Sequence, residues 1–110
     1  MATYVMLTKL AEEATPTPHS FEELGQEVTT RLKSECPDAR WISSHSVIGP
    51  YDYVDIFDAP DHDTAIKVSL IVRTYGHAMT EIWPATPWDR FRTIVRETIA
   101  AGAETEDEAA

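Results

Sequence analysis

Chemistry needs titratable or coordinating side chains held together. The densest run of them in this chain is Tyr51, Tyr53, Asp55 and Phe57, at every second position. Alternate residues of a β-strand share a face, so this run sets a carboxylate between aromatic rings. Tyr4, Met6 and Thr8 repeat the spacing, as do Trp41, Ser43 and His45, and then His77, Met79, Glu81 and Trp83. Proton transfer suits such a set, because an imidazole titrates near neutrality and a carboxylate or phenol can orient it in a partly dry cavity. His77 is the first candidate for a catalytic group, since it opens a strand at the rim, just after Gly76. Asp55 is the second, since a covered central strand would hold its carboxyl in a dry setting. The other candidates for touching a ligand are Tyr4, Met6, His45, Tyr53, Phe57, Met79 and Glu81.

Metal ligation is the other chemistry open to histidine and carboxylate. Within one subunit the spacing opposes it. His77 and Glu81 stand about 13 Å apart along a strand, and His45 and His77 are roughly 14 Å apart across four strands. Zinc–ligand bonds are about 2 Å, so no metal site is expected. The chain has no Gly-rich phosphate loop, nucleophile elbow or Cys-x-x-Cys, and no cofactor is expected either. Each candidate also has a plain reading. Tyr51, Tyr53 and Trp41 serve equally as packing residues whose polar atom finds a partner. Asp55 serves equally as half of a pair across an interface. Cys36, beside Pro37, has no sequence neighbour that would activate it, and His19 and His62 fall where solvent would reach them.

The elements that must position these residues follow from periodicity and punctuation. A first strand covers about residues 3–9. A polar loop follows, in which Pro16 and Pro18 keep the preceding residues extended. Ser20 with Glu23 makes a capping box, and Phe21, Leu24, Val28 and Leu32 form the apolar stripe of a helix that ends before Pro37. Strands over 40–48 and 51–58 flank a Gly49-Pro50 turn. Asp61 caps a helix over 62–74, with Ala65, Val68, Ser69 and Val72 turned inward and Ile66 and Leu70 flanking them. Gly76 stops it, and a fourth strand covers 77–83. Thr86 and Pro87 open a last helix whose buried side is Trp88, Phe91, Val95 and Ile99, with Trp83 and Trp88 clamping it to the sheet. Two β-α-β units joined by a hairpin interleave into a ferredoxin-like α+β sheet, four-stranded and antiparallel, with the first and third strands central.

A chain of 110 residues suits one domain, placed at 1–101 with an acidic, disordered tail at 102–110. The formal net charge is −10, and setting aside Glu104, Glu106, Asp107 and Glu108 leaves −6 for the body. With nine scattered basic residues, nucleic acid and anionic membrane are excluded as partners. The N-terminus has no pattern of a secretory signal, no stretch approaches the roughly 20 apolar residues of a membrane span, and the single cysteine suits a reducing cytoplasm.

The run Gly49-Pro50-Tyr51-Asp52-Tyr53-Val54-Asp55-Ile56, followed by Asp58-Ala59-Pro60-Asp61, resembles the GYD-domain family. So do the opening Tyr4-Val5-Met6-Leu7-Thr8-Lys9-Leu10 and the segment from Tyr75-Gly76-His77 through Thr80-Glu81. The pieces occur in the family's order and span most of residues 3–86. The resemblance implies a dimeric α+β barrel, an arrangement shared by small ligand sensors and cofactor-free enzymes. The stretch between Ala11 and Cys36 departs from the family pattern, where the opening is shorter and the first helix different.

Val5, Leu7, Val54, Ile56, Ala78 and Ile82 form the consistently aliphatic set, and that set is expected to meet the helices. The aromatic and polar half would then face a second copy, with a ligand cavity between the two sheets. This implies a homodimeric small-molecule binding or regulatory protein whose ligand is apolar or aromatic. An enzyme using His77 or Asp55 as its acid–base group is one alternative, and a protein–protein interaction module with a filled, flat sheet face is another.

Overall fold

The structure is a computed structural model, and it describes residues 1–11 and 17–109, with side chains to Gly102. The expected loop around Pro16 therefore lies largely outside the described residues, as do the side chains of the acidic tail. The elements run β1 (Ala2–Leu10), α1 (Pro18–Glu35), β2 (Arg40–Ser46), β3 (Tyr53–Ala59), α2 (His62–Tyr75), β4 (Ala78–Ala85) and α3 (Trp88–Ala109). The strands form one four-stranded sheet in the order β2-β3-β1-β4, and every neighbouring pair is antiparallel. This is the ferredoxin-like α+β arrangement, with the first and third strands central.

Local chemistry sets the boundaries. The cap of α1 is Thr17 rather than Ser20. The Thr17 hydroxyl accepts from the Ser20 N–H at 3.2 Å, and Ser20 Oγ accepts from the Thr17 N–H at 3.3 Å, so the box sits one turn earlier and Pro18 takes the first helical position. Asp61 caps α2 as expected, its carboxylate accepting from the Thr64 N–H at 2.8 Å. Gly76 ends α2 with φ −92°, and the left-handed residue is His77, with φ 48°. The glycine is required for space: a Cβ there would lie 2.6 Å from the Val72 carbonyl oxygen and 3.3 Å from Val28 Cγ2.

The expected assignment of sheet faces is reversed for β1 and β3 and holds for β4, whose Ala78 and Ile82 meet the helix side while Met79 and Glu81 turn away. The core holds Tyr4, Met6 and Phe57 from the strands against Ala65, Val68, Ile71 and Val72 of α2. Tyr4 and Trp41 both stack on Phe57, with ring centroids 5.7 and 5.0 Å apart. Phe57, Met6 and Val68 are the largest fully buried side chains. Val5, Val54 and Ile56 lie on the opposite face, half-buried in the single chain. The reason is size matching: Ala65 and Val68 are short, and large flat rings fill the space they leave. A sheet apolar on both faces gives no polar half to mark the solvent side. A β-bulge between Trp41 and Ser43 adds a second correction. It leaves Trp41 opposite Phe57 on the helix side but sets Ser43 and His45 opposite Ile56 and Val54 on the open side.

The last helix also departs from expectation. Trp88, Phe91, Val95 and Ile99 are 70%, 45%, 38% and 66% exposed, and Trp83 is 53% exposed, so no tryptophan clamp forms within the chain. The molecule measures 67 × 30 × 18 Å, the length following from α3 standing clear of the sheet. Its helical backbone runs to Ala109, across the boundary at 102 assigned to a tail.

Candidate functional site

The helices do not cover their side of the sheet evenly. α2 packs on β4 and β3, whereas α1 packs on α2. One strong link in that pairing is Arg31 over the ring of Tyr75, 4.3 Å from its centroid. Held this way, α1 stands off β2 and β3 and leaves a cleft of about 790 Å³ beneath it. The volume is within the range of small-molecule sites. The roof is the apolar stripe Phe21, Leu24, Val28 and Leu32, and the floor is Met6 and Thr8 of β1, Tyr53 and Asp55 of β3, and Trp41, Ser44 and Ser46 of β2. Phe21 meets Tyr53 edge-on across the cleft, with centroids 6.5 Å apart.

The polar groups of this floor are few. Trp41 Nε1 donates to Ser44 Oγ at 2.7 Å and to Asp55 Oδ1 at 3.2 Å. The Tyr53 phenol is pushed above its ordinary pKa, first by burial and then by the Asp52 and Asp55 carboxylates, so it is a neutral donor at physiological pH. Cys36 also borders the cleft. Burial raises its thiol, with Lys67 opposing and Glu35 reinforcing, which disfavours the thiolate a nucleophile needs. Thr8 is 3% exposed, and its hydroxyl finds no hydrogen-bond partner among the described residues.

Of the residues singled out from sequence, the cleft gathers Met6, Tyr53 and Asp55, with His45 at its edge on β2. Tyr4 and Phe57 lie in the packed core beside it. Met79 and Glu81 are exposed and share the open face, opposite Lys9 and Leu7 of β1. His77 is exposed in the α2–β4 connection, where its carbonyl accepts from the Ala11 N–H at 3.0 Å. The structure therefore does not bring His77 and Asp55 to one place. Within the single chain the cavity lies between sheet and helix. Sequence reasoning missed the whole roof, because an apolar stripe at helical spacing looks the same whether it packs on a sheet or stands over a gap.

The Tyr51-Asp52 pair anchors the β2–β3 connection. The Asp52 N–H donates to the Thr8 carbonyl at 2.8 Å, and its carboxylate accepts from the Leu10 N–H at 2.8 Å. Tyr51 donates its phenolic proton to Glu81 of β4, which also pushes the Tyr51 phenol above its ordinary pKa. Among the described residues no group of three or more His, Cys, Asp or Glu could hold a metal ion, and no helix is long and apolar enough to cross a membrane.

A protein of Thermus thermophilus named glutamine synthetase and cystathionine beta-lyase binding protein is 28% identical over 87 residues, covering 79% of this chain and 90% of that one. Among solved structures, the leucine response regulatory protein LrpA of Mycobacterium tuberculosis superposes with a TM-score of 0.55 at 14% identity, over 78% of this chain; the chain spans about half, 51%, of LrpA. At3g17210 of Arabidopsis thaliana gives 0.50 at 12% identity, covering 79% of this chain and 95% of its own. At these identities the two likenesses show the fold. A family model described as GYD domain matches residues 4–95. That span contains most of β1, the other three strands, α1, α2 and the tether made by Tyr51 and Asp52, and the chain belongs to the GYD-domain family.

Proposed function

We propose that this protein is a homodimeric binding protein of regulatory type. It takes a small apolar or aromatic ligand into the cleft under α1 and meets its twin through the open sheet face. The cleft carries the reading: about 790 Å³ of space with an apolar roof and a sparse polar floor, the composition of a ligand site rather than of a packing defect. The name of the Thermus thermophilus relative, a binding protein for two enzymes, supports a role in binding over one in turnover. The open face supports the dimer. Val5, Val54 and Ile56 are half-buried and Trp83 is exposed beside them on this face, an apolar surface that a second sheet could cover. The stripe of α3 stays largely exposed among the described residues, and a second copy would give both surfaces a partner. The working unit is the domain at 1–101, with 102–110 as an acidic tail, acting in the cytoplasm.

Native mass spectrometry of protein purified gently from its own host tests the reading. The expected result is a dimer carrying extra mass that is lost on denaturation. A dimer and monomer of bare chain mass in every preparation would overturn the ligand site.

A further inference from the structure

The ligand in the cleft is defined further by charge and by unused hydrogen-bonding capacity, an inference that rests on the cleft reading above. We propose that the occupant is an amphiphile with an apolar body and an uncharged or cationic hydrogen-bond-donating head, such as an amine or alcohol, and that carboxylates are rejected.

Asp55 is half-buried on the central strand β3, beside Met6, which is 1% exposed, so its carboxylate belongs to the floor. One oxygen accepts from Trp41 Nε1, and the other has no partner among the described residues. A carboxylate accepts several hydrogen bonds, so this oxygen can take a further donor. The neighbouring Thr8 hydroxyl, also without a partner among the described residues, marks the same end of the floor as polar, and buried polar atoms are ordinarily satisfied. Tyr53 adds a neutral phenol between them along β3 and β1, where Thr8 and Tyr53 are cross-strand partners. The remaining basic side chains of the lining, Lys33 and His45, are both exposed at the rim. An anionic head at the floor would meet the Asp55 carboxylate without a facing cation, and like charges brought together in a partly dry site repel strongly. The apolar body is set by the stripe from Phe21 to Leu32. It runs about 11 residues along α1, or roughly 16 Å, the reach of a ten-carbon chain or a pair of fused rings with a short tail.

The test uses decylamine, decanol and decanoate below their micelle concentrations. Affinity is read by titration calorimetry and location by the NMR shifts of the Trp41 indole N–H and the Met6 methyl. Decylamine and decanol are expected to shift both signals and to bind about tenfold or more tighter than decanoate. Asp55→Asn, which changes the net charge by a single unit, is expected to remove most of the advantage of decylamine. Decanoate binding as well as the others, or preference unchanged in Asp55→Asn, would overturn the head-group assignment and leave the cleft standing. No shift at Trp41 or Met6 with any of the three would overturn the cleft site, and the head-group assignment with it.

Discussion

Single residues show which features are structural and which belong to the site. Phe57 is fully buried between the rings of Tyr4 and Trp41, and Phe57→Ala is expected to cost about 3–5 kcal/mol in urea unfolding, the range for aromatic truncation in a core. Asp52→Ala strands the Leu10 N–H that its carboxylate serves and should cost about 1–3 kcal/mol by the same measurement. Thr8→Val behaves in the opposite sense. It removes a buried hydroxyl that has no partner among the described residues, so the ligand-free protein should gain about 1 kcal/mol while losing affinity for the occupant of the cleft. His77→Ala should leave binding unchanged, because His77 lies outside the cleft, and His77→Gly should stabilise by up to about 1 kcal/mol by relieving a left-handed backbone. Candidate chemistry was legible for Asp55 and Tyr53, whose alternation on β3 put them on one face in sequence and structure alike. It was misread for His77 and Glu81. Nothing in the residues from 77 to 83 shows that the strand begins at Ala78; Met79 and Glu81 turn away from the helices as expected, but the cleft lies on the other side of the sheet.

At the scale of elements, capping and packing decide more than propensity. The Asp61 carboxyl at the start of α2 is held below its ordinary pKa by the Thr64 hydroxyl first and the Thr64 N–H second. A depressed folded value means that the cap contributes stability above the unfolded carboxyl range, and this is lost as pH falls through the folded value. A pH series of thermal melts should therefore show part of the loss below about pH 4 disappearing in Asp61→Ala. Strand order and helix positions were legible because hydrophobic periods and turn residues are local signals. The faces were not. Choosing between Tyr4-Met6-Thr8 and Val5-Leu7-Lys9 depends on the small residues Ala65 and Val68 of a helix some sixty positions away. The bulge at Ile42 also moves His45 across the sheet without leaving a mark in sequence. α3 makes its own prediction: replacing Phe91 and Val95 together with Ser should leave the sheet and α2 folded and weaken association about tenfold or more, read by sedimentation across a dilution series.

For the molecule as a whole, the two faces divide the work. The aromatic face makes the core and the cleft, and the aliphatic face, with α3, is the surface proposed to meet another chain. Its charged members, Lys9, Arg40, Asp58 and Glu81, differ in sign, and Thr3 already ties Asp58 with a hydrogen bond of 2.6 Å, so burial against a twin strands little. The central claim is that the open face belongs to a second copy, and sedimentation equilibrium at micromolar concentration tests it most directly. The account predicts a particle of twice the 12.3 kDa chain mass, reduced to one chain by Ile56→Lys. A wild-type protein that sediments as a single chain throughout the micromolar range would contradict it.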